Sequence, residues 1–113
     1  MRSFSKKQLF SSILGLGLAI TLVCAPMAAQ DAAGTYKAKC AMCHGADGKG
    51  DTAVGKNMGV HDFSSAAVQQ QSDADLTQII AKGKNKMPAY ANKLSESDIS
   101  GLVAYVRQLG KGK

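Results

Sequence analysis

The sequence predicts an all-α domain of three to four helices, and two observations support this fold class. Apolar residues recur at helical spacing in three separate segments, and two of these segments begin with a serine followed three residues later by an aspartate, which is a capping pattern. No segment alternates apolar and polar residues over the length of a strand. The chain has 113 residues, so it holds one small domain at most.

Residues 1–29 are predicted to form a secretory signal peptide, which leaves residues 30–113 as the folded domain. Basic residues without an acid precede an apolar run from Ile13 to Val23, and a stretch of small residues follows it. The run is shorter than the roughly 18 residues of a membrane-spanning helix, so stable membrane insertion is not expected and the periplasm is the expected location. A retained anchor and lipid attachment at Cys24 are the alternatives, and the cleavage site is uncertain by about two residues.

The charge of the predicted domain argues against nucleic acid as a partner. Three of the 14 Lys and Arg residues lie in the leader, which leaves 11 basic against 8 acidic residues, a formal charge of +3. This is only mildly basic, and aromatic residues are sparse. A domain of about 80 residues has a marginal core and usually needs a disulfide, a metal or a large bound group. A cofactor is therefore expected.

The first helix is predicted over residues 31–43 and delivers a Cys-x-x-Cys-His motif at its C-terminal end. The motif consists of Cys40, Cys43 and His44. Covalent haem attachment would use all three residues, because two thiols add across the two vinyl groups and the adjacent imidazole is then held under the iron. The motif therefore predicts one covalently bound haem c.

Three other functions of the cysteine pair compete with haem attachment. A redox dithiol of the thioredoxin kind would follow a strand and crossover pattern, which is missing here. A zinc site needs four ligands, and beyond the motif the domain offers only the isolated His61. A disulfide between Cys40 and Cys43 would close too small a loop to stabilise the fold much. The dithiol and the zinc site remain the alternatives.

The middle of the domain is predicted to be a glycine-rich loop followed by helices. Five glycines between residues 45 and 59 can let the chain wrap closely around a flat cofactor. A short helix over residues 64–71 is weakly indicated. A further helix begins at the capping pattern of Ser72 and Asp75 and ends at Gly83. Its apolar face is formed by Leu76, Ile79 and Ile80.

The last helix is the clearest prediction in the chain. Ser95 and Asp98 form its capping pattern, and Leu94 can pack against Ile99 as a hydrophobic staple. One apolar stripe follows, formed by Ile99, Leu102, Val103, Val106 and Leu109. A stripe at this spacing predicts a helix that is buried along one face.

A second axial ligand for the iron has four candidates, which are Met42, Met58, His61 and Met87. Met42 lies inside the attachment motif, so its side chain cannot reach the other haem face. Met87 follows a helix end and precedes Pro88, which restricts the backbone before it to extended conformations. Its polar neighbours do not suit a core methionine. Met87 is the preferred ligand, and His61 and Met58 stay open.

Three stretches in order resemble the landmarks of class I c-type cytochromes of the small monohaem bacterial kind. They are "CAMCHG" at 40–45, "KMPAY" at 86–90 and "LSESDISGLVAYVRQL" at 94–109. The resemblance covers nearly the whole domain. It implies a cytochrome c fold around one covalently attached haem c, bound through Cys40 and Cys43, with His44 as proximal and Met87 as distal ligand.

The resemblance also implies that the N- and C-terminal helices cross. On that pattern Ala32 and Tyr36 pack against Leu102 and Tyr105. The sequence departs from the family in one respect, because many relatives have a proline in the loop after the attachment motif, near the carbonyl that holds the proximal imidazole. The only proline of this domain is Pro88, so another carbonyl would have to orient His44.

The expected function follows from the coordination of the iron. With His44 and Met87 in both axial positions no site remains for a substrate, so the protein is expected to be an electron carrier and not an enzyme. Its expected partners are a membrane quinol–cytochrome c reductase or dehydrogenase as donor and a terminal oxidase or reductase as acceptor, and a monomer is expected. The alternative is a haem enzyme or ligand sensor with a labile Met87, in which His61 would be the distal acid–base residue.

A rim of lysines is the candidate docking surface for these partners. Its members are Lys56, Lys82, Lys84, Lys86 and Lys93. Such a rim can steer the protein toward an acidic partner. For each single lysine an ordinary solvated surface position is the competing interpretation.

Overall fold

The computed structural model describes residue 15, residues 17–22 and residues 28–112. Its helices are α1 (Ala28–Lys39), α2 (Ala41–His44), α3 (Ala53–Met58), α4 (Ala66–Gln69), α5 (Asp73–Lys82) and α6 (Glu96–Gly110). The described residues contain no strand apart from an isolated bridge between Lys84 and Met87, so the all-α prediction is confirmed. Most of the predicted leader, Cys24 included, lies outside the described residues. Within the described ranges no helix has the length and apolar character needed to cross a membrane.

The segment predicted as one helix over residues 31–43 forms two helices. α1 ends at Lys39 and α2 begins at Ala41, with Cys40 between them at φ −115° and ψ −34°. The Cys40 N–H still donates to the Tyr36 carbonyl at 2.8 Å, so the break leaves the backbone hydrogen-bonded. The prediction of a continuous helix was wrong because the apolar spacing continues through Cys40 and does not show the break.

The predicted glycine loop contains a helix that sequence reasoning missed. α3 begins after Thr52, whose hydroxyl accepts a hydrogen bond from the Gly55 N–H at 2.9 Å, and it ends at Gly59 with φ +68°. A threonine N-cap and a left-handed glycine C-cap are both recognisable helix signals. The helix escaped notice because six residues are too few to show a clear apolar period.

The predicted helix starts at Ser72 and Ser95 are confirmed. In each, the serine hydroxyl accepts from an aspartate N–H at 3.1 Å, and the aspartate carboxylate accepts from the serine N–H. α5 ends at Gly83 as predicted. The weakly indicated helix over 64–71 is present as the shorter α4.

The core forms where α6 packs against both α1 and α5. Leu102, at the centre of this core, is 2% exposed. The predicted contact of Tyr36 with Tyr105 is present, with ring centroids 5.1 Å apart. The buried members of the core are Tyr36, Phe63, Val68, Leu76, Ile80, Ile99, Leu102, Val103 and Val106. The predicted stripe of α6 is buried up to Val106, and Leu109 packs partly buried at its end.

Arg107 of α6 ties down the connection between α4 and α5. Its Nη1 donates to the Gln69 carbonyl at 3.2 Å, its Nη2 donates to the Gln71 carbonyl, and its Nε donates to Asp73 Oδ1 at 3.0 Å. The planar guanidinium thus satisfies carbonyls at the end of one helix and a carboxylate at the start of the next. The two helices that it joins contribute Val68 and Leu76 to the core.

Candidate functional site

A cavity of about 430 Å³ is lined by residues from all of the helices α1 to α6. The volume is typical of a pocket for a small molecule or cofactor. Cys40, Cys43, His44 and Met87 all line this cavity, so the structure brings together the four residues that the sequence singled out. Its apolar wall includes Val68, Leu76, Ile79, Ile80, Leu102 and Val106.

The two cysteines of the motif are half-buried thiols at the edge of the cavity, and no disulfide joins them. Burial raises the pKa of the Cys40 thiol. A reactive redox cysteine has the opposite property, a lowered pKa. Among the described residues no cluster of three or more His, Cys, Asp or Glu side chains is placed to hold a metal ion, so the zinc alternative finds no ligand set in that part of the chain.

The His44 ring lies against the face of Phe63, with ring centroids 4.8 Å apart and an angle of 29° between the planes. Burial lowers the pKa of His44, which favours the neutral imidazole that metals require. The Nδ1 atom is buried and has no hydrogen-bond partner among the described residues. The structure therefore shows no carbonyl among the described residues that accepts a hydrogen bond from His44 Nδ1.

Backbone carbonyls of the motif are held by the residues that surround it. The Tyr36 hydroxyl donates to the Gly45 carbonyl at 2.6 Å, the Thr52 hydroxyl donates to the Cys43 carbonyl at 3.1 Å, and the Gly50 N–H donates to the His44 carbonyl at 2.7 Å. Burial raises the pKa of Tyr36, so its hydroxyl stays a donor across the physiological range. These bonds fix the backbone that presents Cys43 and His44.

Gly55 of α3 packs directly on this backbone. A Cβ atom at position 55 would collide with the Cys43 carbonyl oxygen and would lie 2.5 Å from the Gly50 carbonyl oxygen. No real side chain tolerates such contacts, so only glycine lets α3 approach this closely. In the sequence Gly55 looks like any of the other glycines between residues 45 and 59, so this contact could not be predicted.

The Met87 loop follows α5 and returns along it. The Met87 N–H donates to the Lys84 carbonyl at 2.9 Å, and Asn85 between them has φ +54°. The Tyr90 N–H donates to the Ile80 carbonyl at 3.1 Å, while the Tyr90 hydroxyl donates to the Lys39 carbonyl at 3.2 Å. Tyr90 thus joins the loop to the end of α1, a role that sequence reasoning did not assign to it.

The other candidate ligands occupy different positions. Met42 is 75% exposed and does not line the cavity, in agreement with its exclusion on sequence grounds. Met58, 45% exposed at the end of α3, and the exposed His61 both line the cavity. The structure therefore leaves these two residues near enough to the site to compete with Met87.

The lysines of the predicted rim do not share one environment. Lys84 and Lys86 line the cavity, and so does Lys39, which the sequence analysis did not include. Lys56 pairs with Asp51 at 2.9 Å, and the Lys93 ammonium lies 5.7 Å from the centre of the Tyr90 ring. In the part of the chain that the structure describes, no acidic residue lines the cavity, so its edge is cationic.

Comparison with solved structures defines the class of protein. A protein titled KustC0563 c-type cytochrome shares this fold with a TM-score of 0.64 and 30% sequence identity, over 69% of this chain and 95% of that one. The chain is therefore a small class I c-type cytochrome with covalently bound haem c. Within this class the chain belongs to a more specific family. The family model that matches residues 27–106 is described as Cytochrome C oxidase, cbb3-type, subunit III.

Curated relatives agree with this family. The cbb3-type cytochrome c oxidase subunit CcoP of Azospirillum brasilense is 35% identical over 88 residues, which is 76% of this chain and 30% of the relative. The subunit FixP of Azorhizobium caulinodans is 36% identical over 88 residues, 76% of this chain and 29% of the relative. The chain thus spans less than a third of these proteins, and what it shares with them is a cytochrome c domain that acts in electron transfer.

The residues around the cavity fit a haem. The wall is apolar, as the porphyrin requires, and two half-buried thiols are available at one edge for covalent attachment. His44 adds a neutral imidazole and Met87 adds a thioether, which are ligands that iron accepts in cytochromes.

Proposed function

We propose that the protein is a soluble periplasmic electron carrier in which Cys40 and Cys43 attach the haem and His44 and Met87 are its axial ligands. The supporting observation is that these four residues, from two distant parts of the chain, line a single apolar cavity. Haem bound there supplies an iron that cycles between Fe(III) and Fe(II). If His44 and Met87 both bound this iron, no position would remain on it for a substrate.

The protein residues would set the potential of that iron. The soft sulfur of Met87 favours Fe(II) over Fe(III) and raises the potential relative to a second imidazole. The apolar wall formed by side chains of α4, α5 and α6 acts in the same direction, because it disfavours the extra charge of Fe(III).

The cationic edge of the cavity would guide partners to the haem. Lys39, Lys84 and Lys86 are exposed at the cavity, and an acidic partner would be attracted to them over a distance set by the ionic strength. Such steering raises the association rate more than the affinity, which suits a shuttle that must also leave its partner.

We infer the electron donor and acceptor from the electron-carrier chemistry of the site and from the similarity to known proteins. The donor would be a membrane quinol–cytochrome c reductase or a dehydrogenase, and the acceptor a terminal oxidase or reductase. The similarity to subunits of cbb3-type cytochrome c oxidases supports a terminal oxidase as the acceptor. The pattern of residues 1–29 supports export to the periplasm. We propose that the protein acts there as a monomer.

The spectrum of the protein purified from a periplasmic extract tests this function. We expect an Fe–S(Met) charge-transfer band in the oxidised form and no spectral change when CO is added to the reduced form. Intact mass should show one haem and loss of about the first 29 residues. Recovery in the membrane fraction would contradict the proposed location, and CO binding would contradict six-coordinate iron.

A haem enzyme or ligand sensor with a labile Met87 is the second candidate function. It is favoured by one observation, the presence of His61 and Met58 at the same cavity. In that case the reduced wild-type protein would bind CO and the oxidised protein would show peroxidase activity.

A further inference from the structure

In the described part of the chain, the His44 ring lacks the hydrogen bond that usually fixes the orientation of a metal-binding histidine. A histidine that binds a metal through one ring nitrogen almost always donates the other N–H to a carbonyl, a carboxylate or water. Nδ1 of His44 is buried and has no such partner among the described residues. The contact that does define the ring plane is the stack on Phe63, 4.8 Å between centroids.

Phe63 is itself held in place on several sides. It is 7% exposed, its N–H donates to the Gly48 carbonyl at 2.9 Å, and its carbonyl accepts from Gln69 Nε2 at 2.5 Å. The ring of Tyr36 meets it edge-on, with centroids 6.2 Å apart and planes at 65°.

Gly48 shows how closely the backbone approaches this ring. It has φ +75°, and a Cβ atom there would lie 2.5 Å from Phe63 Cδ2. The Phe63 ring is therefore confined between the backbone turn at Gly48 and the ring of Tyr36. Its orientation is fixed, and so is the surface on which His44 stacks.

We propose that Phe63 is a positioning residue that orients the His44 imidazole by stacking, in place of a hydrogen bond to Nδ1, and thereby raises the reduction potential. The potential follows from ligand strength. A hydrogen bond from Nδ1–H makes an imidazole a stronger donor, which stabilises Fe(III). Without it His44 is a weaker donor and Fe(II) gains relative stability. This inference rests on the proposed ligation by His44.

Replacement of Phe63 tests the inference by potentiometry. Phe63→Leu removes the aromatic surface, so the His44 ring can turn and Nδ1–H can reach water or a carbonyl. We expect the potential to fall, with the Fe(III)/Fe(II) ratio at a fixed electrode potential changing by up to about tenfold, equivalent to about 59 mV. Phe63→Tyr keeps the ring and should keep the wild-type potential.

A core variant away from His44 distinguishes a change in the orientation of His44 from a general loss of core packing. Val103 of α6 is buried and does not line the cavity, so Val103→Ala should lower the denaturation midpoint and leave the potential unchanged. If Val103→Ala lowered the potential as much as Phe63→Leu, or if Phe63→Leu kept the wild-type potential, Phe63 would have no positioning role.

Proton NMR of the reduced wild-type protein supplies a test that needs no variant. The Nδ1–H signal of His44 should be protected from solvent exchange and should lack the downfield shift of a hydrogen-bonded proton. A hydrogen-bonded Nδ1–H would overturn the inference even if Phe63→Leu failed to fold. If His44 did not bind the haem iron at all, the proposed function would fail, and the two failures can be distinguished. In that case the oxidised wild-type protein would lack haem-shifted His44 resonances altogether.

Discussion

The attachment segment, residues 36–59, and the ligand loop, residues 83–91, line the same cavity but are held in different ways. In the attachment segment three successive carbonyls accept hydrogen bonds, and Gly55 brings a helix into direct contact with the motif. The ligand loop carries exposed lysines around Met87 and is tied mainly by backbone bonds to α5 and by the Tyr90 hydroxyl.

The difference separates two tasks of a haem protein. The attachment segment holds the cofactor and supports the core, so its side chains and its backbone are fixed from several directions. The ligand loop has to place one sulfur atom and present charge to solvent, which needs fewer contacts. Changes in the first region should therefore affect haem retention and folding, whereas changes in the second should affect spectrum, potential and docking.

The largest effect is expected for the cysteines of the attachment segment. Changing both Cys40 and Cys43 to Ala should abolish covalent haem, and either single change should leave the haem singly attached or absent. Folding should suffer as well, because the cofactor completes a marginal core. Intact mass and haem extraction into acidified acetone measure the outcome. Met42→Ala, at the exposed position between them, is the control and should retain one haem.

Met87→Ala should have the next largest effect, confined to the iron. Covalent attachment should stay intact, while the charge-transfer band disappears and the reduced protein gains CO binding. We expect the potential to drop by on the order of 100 mV, a fraction of the range of about 0.8 V that axial ligands span. Spectroscopy and potentiometry measure both changes.

Two variants at the same cavity refine the test of Met87. Met58→Ala should keep the wild-type spectrum, and adding His61→Ala to Met87→Ala shows whether that histidine is the substitute ligand. A wild-type spectrum in Met87→Ala would mean that Met58 or His61 is the distal ligand. The ligand loop would then not supply a ligand to the iron.

Gly55→Ala should weaken the attachment segment through its backbone. The added methyl group collides with the Cys43 carbonyl, so we expect a loss of about 1–3 kcal/mol in the free energy of unfolding. Gly34→Ala is the matched control, because its Cβ meets nothing within 4 Å in the middle of α1, and it should stabilise by roughly 0.5–1 kcal/mol. Denaturant titration of the two holoproteins compares them, and equal stabilities would show that α3 can move away from the motif.

Charge reversal in the ligand loop should have the smallest effect and leave the fold alone. Lys84→Glu or Lys86→Glu should slow electron transfer to an acidic partner at low salt and weaken its dependence on ionic strength, over the range where the Debye length falls from about 30 Å to 10 Å. Lys37→Glu makes the same charge change on α1 away from the cavity and should slow transfer less. Stopped-flow kinetics at several salt concentrations decide between steering and an ordinary solvated surface.

Local sequence signals predicted most of the helices and the location of the site. The Ser-x-x-Asp pattern placed the starts of α5 and α6 correctly, since a capping box involves only residues within one turn. The same kind of signal at Thr52 and Gly59 was present for α3 but was overlooked, because the glycines suggested a loop. The break at Cys40 had no local signal that distinguishes it from a continuing helix.

The sequence by itself determined that this chain is helical, that Cys40, Cys43 and His44 form one motif, and that Met87 stands on a loop stiffened by Pro88. Spacing and covalent chemistry are properties of neighbours along the chain, so they can be read without a fold. Only the tertiary structure showed that Phe63 stacks on His44, that Gly55 lies on the Cys43 carbonyl, and that Lys39 joins Lys84 and Lys86 at the cavity. Those contacts join residues far apart in sequence, and the packing of helices alone brings them together.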